Sequence, residues 1–193
     1  MGARLGSLCV VAAGFVFLAL VLVSSANAKS PEYAGVEKCK RCHSRANLGG
    51  EEYPIWEKSK HAKVMELLKP GVAVEAKKAA KVDPQKDYTK DEKCLKCHTT
   101  GWGKPAEAKA DLLNVQCEAC HGPGSEYRKT TIMSKKKWQE DAKGMRAKAV
   151  EAGMIMPPTE EQCKQCHNSD SPFYKEFKFA ERKAQIKHWK EKQ

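Results

Sequence analysis

Cys39-Lys-Arg-Cys42-His43, Cys94-Leu-Lys-Cys97-His98, Cys117-Glu-Ala-Cys120-His121 and Cys163-Lys-Gln-Cys166-His167 are four copies of one pattern, C-x-x-C-H. It is the pattern of c-type haem attachment, in which two thiols add to the porphyrin vinyl groups and the next imidazole becomes an axial iron ligand. Four covalently bound haem c groups are therefore expected. Paired C-x-x-C knuckles also build tetrahedral zinc sites, but zinc has no use for a histidine straight after every second cysteine. With 6 histidines in 193 residues, four such coincidences have a chance on the order of 10⁻⁶. The same histidines argue against a disulfide framework.

The amino terminus reads as an export signal. Arg4 supplies a positive start, Leu8 to Val23 is uncharged and almost wholly apolar, and Ala26-Asn27-Ala28 is a small-residue cleavage site. Residues 1–28 are the expected cleaved segment and residues 29–193 the tetrahaem domain, located in the periplasm. The apolar run falls short of the roughly 20 residues that span a bilayer, so an uncleaved anchor is the weaker reading. Cys9 leaves with the signal, and the other eight cysteines are consumed by four haems.

Four haems in 165 residues leave little room for a side-chain core. The porphyrins themselves must then supply most of the apolar interior. Past residue 28 the chain holds 34 basic and 24 acidic residues, a balance of +10. Up to eight haem propionates nearly cancel that excess, so neither nucleic acid nor a lipid surface is implied as partner.

The motif cysteines start 55, 23 and 46 residues apart, with no longer repeat. Val, Ile and Thr are too sparse for a sheet, and a mainly α, single-domain fold of helices and loops wrapped around the haems is expected. Ser30 to Val36 reads as extended. Helices are expected over 51–69, 72–81, 135–152 and 173–190. Thr89 to Glu92 and Thr159 to Gln162 fit the capping-box pattern, each opening a helical turn under a motif. Gly122-Pro123-Gly124 stops the turn behind the third.

Each iron has two axial positions, and the motif histidines His43, His98, His121 and His167 fill one apiece. Only His61 and His188 remain for the other four. His61 shares a helical face with Val64, Met65 and Leu68, and His188 one with Phe177 and Ala184, so both are candidate ligands. Met133, Met145, Met154 and Met156 lie between the third and fourth motifs. Each would more commonly be a gap-filling core residue, and Met133 is the best ligand candidate among them. At least one iron is expected to stay five-coordinate.

Val36 to Gly124 includes Trp56-Glu-Lys-Ser-Lys-His61-Ala62, Asp83-Pro-Gln-Lys-Asp-Tyr-Thr89 and Cys117-Glu-Ala-Cys-His-Gly-Pro-Gly124. With the stretches around Cys163 and His188, it resembles the tetrahaem cytochrome c-554 family of ammonia-oxidising bacteria. The resemblance implies a helical monomer with haems in stacked pairs, carrying electrons in the periplasm. Its implied partners are a hydroxylamine-oxidising multihaem donor and a cytochrome acceptor. It assigns His61 to the haem of Cys117, Cys120 and His121, and His188 to the haem of Cys163, Cys166 and His167. It leaves the haem of Cys94, Cys97 and His98 without a sixth ligand, approached by Ser171-Pro172-Phe173. The chain departs from the family where the first haem takes its distal histidine. Thr130-Thr-Ile-Met133 stands there, so the haem of Cys39, Cys42 and His43 has Met133 or nothing.

An electron carrier with no catalytic residues is the favoured function. A reductase of nitric oxide or a similar molecule at an open haem on His98 is the alternative. An extracellular filament with ligands shared between subunits is disfavoured, because both spare histidines already have places within the chain.

Overall fold

Residues three and four apart share a face of a helix, so C-x-x-C-H puts both thiols and the imidazole on one side of a single turn. The computed structural model, which describes residue 2, residues 30–48 and residues 50–188, builds the motifs in that way. Apart from Gly2, the expected signal segment lies outside the described residues. Helix α1 (Val36–His43) carries the first motif, α4 (Glu92–His98) the second and α5 (Cys117–His121) the third. In the fourth, α8 (Glu160–Lys164) ends after Cys163, and Cys166 and His167 follow in a turn.

Between these lie α2 (Glu52–Glu57), a 3₁₀ run over His61–Leu68, α3 (Val74–Ala79), α6 (Lys135–Glu140), α7 (Ala142–Glu151) and α9 (Phe179–Ile186). Among the described residues β pairing is confined to isolated bridges such as Tyr33 with Ala106 and Thr99 with Leu113. No helix among them is long and apolar enough to cross a membrane. The mainly α expectation holds.

Several helices are shorter than their patterns suggest, and each break has a local cause. The expected helix over 51–69 splits into α2 and the 3₁₀ run because outside partners take its backbone groups. His61 O accepts from Val115 N (3.1 Å), Val64 O from His98 Nδ1 (2.8 Å) and Leu68 O from Tyr88 N (2.9 Å), while Met65 N donates to Asn114 Oδ1 (3.0 Å). The helix over 135–152 breaks at Asp141, whose side chain caps α7 by accepting from Gly144 N at 2.8 Å. The helix over 173–190 begins only at Phe179, and Phe177 lies flat on the His167 ring instead, centroids 4.7 Å apart. Trp189 and Lys190 lie outside the described residues.

Neither capping box forms in full. Asp91, not Thr89, caps α4 by accepting from Lys93 N. Thr159 caps α8 at 3.3 Å, but Gln162 spends its amide on Ala119 O (2.8 Å) rather than closing the box.

Two glycines are required by close approach. Gly122 ends α5 at φ 77°, where a Cβ would stand 2.6 Å from Gly153 O. Gly35, at φ 83°, opens α1, and a Cβ there would meet Asp111 O at 2.9 Å. Both lie in the left-handed region that only glycine enters without strain.

The apolar core is small: Ala34, Val36, Tyr53, Leu68, Tyr127, Met145 and Ala149 are its buried members among the described residues. A buried polar knot does much of the joining. The extended segment before α1 lies over α5, where the fully buried Glu118 accepts from Ala34 N (2.9 Å), Gly35 N (2.7 Å) and Gly124 N (2.6 Å). Beside it Gln116 Oε1 accepts from Val36 N at 2.7 Å, and Ser125 Oγ accepts from Glu32 N at 2.9 Å. Hydrogen bonds to charged acceptors contribute about 1.5–3 kcal/mol each, so this knot locks α1 against α5 and sets the first motif beside the third.

Candidate haem-binding sites

An imidazole presents Nε2 to a metal when its other ring nitrogen is occupied by a hydrogen bond. Three motif histidines are held in that way. His98 Nδ1 donates to Val64 O (2.8 Å) and His121 Nδ1 to Ile155 O (3.1 Å), while His43 Nδ1 pairs with Glu52 Oε2 (3.0 Å). Burial pushes His61, His98, His121 and His167 below the usual imidazole range, which keeps them neutral and able to donate a lone pair. The hydrogen bond to Glu52 pushes His43 the other way, against its burial.

The two spare histidines each face a motif histidine. The His61 and His167 ring centres lie 6.1 Å apart with planes at 66°, and those of His121 and His188 lie 6.0 Å apart at 74°. Nitrogens about 2 Å from one metal set two opposed imidazoles about 6 Å apart, centre to centre. Both gaps therefore fit one iron.

The pairs are the reverse of the allotment that the resemblance implies. His61 stands at the start of the 3₁₀ run that Val115 and Asn114 hold, and from there its ring meets His167. His188 does not lie on a helical face with Phe177. It follows the end of α9, with Nδ1 donating to Ile186 O (3.0 Å), and reaches His121.

A cavity of about 280 Å³ joins α2, α5 and the end of α9. Cys117, Cys120, His121 and His188 line it, with Ile55, Trp56, Val115 and Ile186 as apolar wall. Two thiols, two imidazoles and an aliphatic and aromatic surround are what a covalently attached porphyrin requires. His61 borders the same cavity, with its ring centre 6.1 Å from that of His167.

Thiols of different motifs also meet. Cys39 shares a hydrogen bond with Cys117, which raises the Cys39 thiol and lowers that of Cys117. Cys97 touches Cys166 likewise, although burial is the main reason the Cys166 thiol is pushed up. Burial pushes Cys120 up to about 11. None of the eight described cysteines is in a disulfide. First and third motifs thus adjoin, as do second and fourth, and the Gln162 bond to Ala119 O ties the fourth to the third.

The remaining candidates are less closely tied. Met133 is half-buried in the turn before α6, its N–H donating to Lys129 O at 2.7 Å. Two residues on, Lys135 Nζ donates to Ala46 O and Asn47 O, each at 3.1 Å, which lays this segment beside the chain that leaves His43. Met145 is a buried core residue of α7. Ser171, Pro172 and Phe173 form a local turn in which Phe173 N donates to Ser171 Oγ (3.2 Å). It is anchored near α4 by the Asp170 and Lys96 ion pair at 3.3 Å, and Phe173 is exposed.

Comparison with known proteins supplies the family. The family model "Cytochrome c554 and c-prime" matches residues 38–122. Cytochrome c-554 of Nitrosomonas europaea is 35% identical over 164 residues, which cover 81% of this chain and 67% of that protein. The chain belongs to the cytochrome c-554 family. The solved reduced state of cytochrome c554 from Nitrosomonas europaea superposes with a TM-score of 0.60 at 33% identity, covering 83% of this chain and 80% of that one. As a family member the chain is a c-type cytochrome that binds haem c covalently and carries electrons between redox partners.

Sequence reasoning missed Glu52 and the carbonyls of Val64 and Ile155, and it set Phe177 beside His188 rather than on His167. The carbonyls carry no sequence signal at all.

Proposed function

We propose that this cytochrome is a periplasmic electron carrier with four haems, attached at Cys39 and Cys42, Cys94 and Cys97, Cys117 and Cys120, and Cys163 and Cys166. The observation that carries the reading is the pairing of each spare histidine with a motif histidine at iron-fitting separation. His61 and His167 complete one centre, and His121 and His188 another. Met133 serves as the second ligand opposite His43, a role supported by the Lys135 bonds that draw its segment to that motif. Among the described residues no second histidine pairs with His98, so its haem would keep an open position.

Bound haem supplies reversible one-electron chemistry. The chain's own work is to hold and tune. Backbone carbonyls of Val64 and Ile155 fix the His98 and His121 rings and raise their basicity as ligands. The Glu52 carboxylate does so more strongly for His43. Phe177 shields His167 from water. Glu118 keeps the first and third motifs in register. Residues 1–28 direct export and are removed. The donor is a multihaem oxidoreductase and the acceptor another cytochrome.

The test is intact mass with a redox titration of the protein purified from the periplasm. A chain starting near Lys29 and four haems heavier than its polypeptide, titrating in several one-electron steps, is expected. Fewer haems, or retention of residues 1–28, would refute the corresponding part.

A further inference from the structure

The four motifs differ in how they meet solvent. Of the eight described cysteines Cys42 is exposed and the others are partly covered. Arg41, Arg45, Ala46, Asn47 and Leu48 around it are exposed too, Leu48 being an apolar side chain 40% accessible.

This edge is also ringed by positive charge. Arg41 lies inside the motif, Arg45 two residues beyond His43, and Lys135 is fixed over the same loop by its bonds to Ala46 O and Asn47 O. None of the three forms an ion pair with a described carboxylate. Cations inside the other motifs do: Lys96 pairs with Asp170 at 3.3 Å and Lys164 with Glu160 at 2.7 Å. Beside the third motif, Arg128 holds Glu107 at 2.6 Å. Lys40, the other cation of the first motif, stands 3.8 Å from Glu37 and over the Tyr53 ring.

We propose that the Cys42 edge is the docking surface for an acidic redox protein, one that presents carboxylates around its own cofactor. This rests on the carrier reading and names where such a partner engages. Unpaired cations steer an anionic surface without first breaking internal ion pairs. Leu48 gives the encounter a small dry contact, and Cys42 puts the first haem's attachment edge at its centre. Glu52, bonded to His43, lies behind this surface, so docking there meets the haem of Cys39 and Cys42.

The test uses the oxidised holoprotein and two electron donors in stopped flow. One is a reduced acidic [2Fe–2S] ferredoxin, the other hexaammineruthenium(II), a small cation. The patch variant is Arg41→Glu, Arg45→Glu, Lys135→Glu. The control, Lys63→Glu, Lys90→Glu, Lys104→Glu, makes the same change in net charge on exposed lysines elsewhere. Haem content and visible spectra establish that both are intact. At about 10 mM ionic strength, where charges act over about 30 Å, the patch variant should lose at least about tenfold in its rate with ferredoxin. The control should lose less than about threefold, and the ruthenium rate should fall in neither. Salt near 0.5 M should bring the three proteins close together. Equal losses in the two variants, or no loss in the patch variant, would overturn the docking assignment while leaving the carrier reading intact. A wild-type protein that took electrons from neither donor would overturn the carrier reading, and the surface with it.

Discussion

Glu118→Ala is expected to be the most damaging single substitution outside the haem ligands. The side chain is fully buried, and both its oxygens accept, from the backbone N–H groups of Ala34, Gly35 and Gly124 at 2.6–3.2 Å. Alanine would leave three buried donors without an acceptor, and each such orphan costs about 1–3 kcal/mol. Against this, the variant no longer buries a carboxyl group, which returns part of the loss. The net expectation is about 3–5 kcal/mol, a large part of the roughly 5–15 kcal/mol that holds a domain together. Guanidinium unfolding followed by far-ultraviolet circular dichroism would show it as a midpoint lowered by about 1 M, taking a slope of about 2–6 kcal/mol per molar. Midpoints rather than extrapolated energies should be compared, since a chain with covalent cofactors need not unfold in two states. Glu118→Gln keeps the volume and one acceptor oxygen but turns an amide N–H toward a donor, so it should fall between wild type and alanine. A Glu118→Ala midpoint within about 0.2 M of wild type would refute the reasoning, because water or a shifted backbone would then be satisfying the donors.

His61→Ala should convert one low-spin haem to high spin, and the affected haem should be that of Cys163 and Cys166. His188→Ala should open that of Cys117 and Cys120. Magnetic circular dichroism combined with a second knockout at His167 or His121 distinguishes this from the opposite allotment, which would show the haems exchanged. Met133→Ala should abolish a sulfur-to-iron charge-transfer band in the oxidised protein and lower the highest potential in the titration; survival of the band would dismiss Met133. Nitric oxide added to the reduced protein should bind rapidly to a single haem, that of His98, and sit there without sustained turnover. Continued reduction with an added donor would favour a reductase, and binding at no haem would close the site.

Much of the chemistry was legible in the chain because covalent attachment demands fixed residue types at fixed spacing. The C-x-x-C-H pentapeptides name their own thiols and proximal imidazoles whatever the fold does around them. Six histidines, four of them inside the motifs, likewise singled out His61 and His188 as the candidate second ligands. The poverty of Val, Ile and Thr pointed to helices, and the structure is helical. Helix lengths were less legible. Apolar periodicity over 51–69 suggested one helix, but the carbonyls of His61, Val64 and Leu68 go to Val115, His98 and Tyr88, partners as much as 54 residues away.

Which histidine meets which was decided by the tertiary structure alone. His61 and His188 carry the same chemistry, and nothing local to either distinguishes His121 from His167 as a partner. The choice follows from how the 3₁₀ run and the end of α9 are laid against the rest, and those placements depend on backbone hydrogen bonds that every residue can make. The same holds for the juxtaposition of Cys39 with Cys117 and Cys97 with Cys166, and for the carboxyl of Glu118 beneath Ala34 and Gly35. A sequence records side-chain identity, and ligation needs only that; neighbourhood depends on main-chain geometry summed over the whole fold.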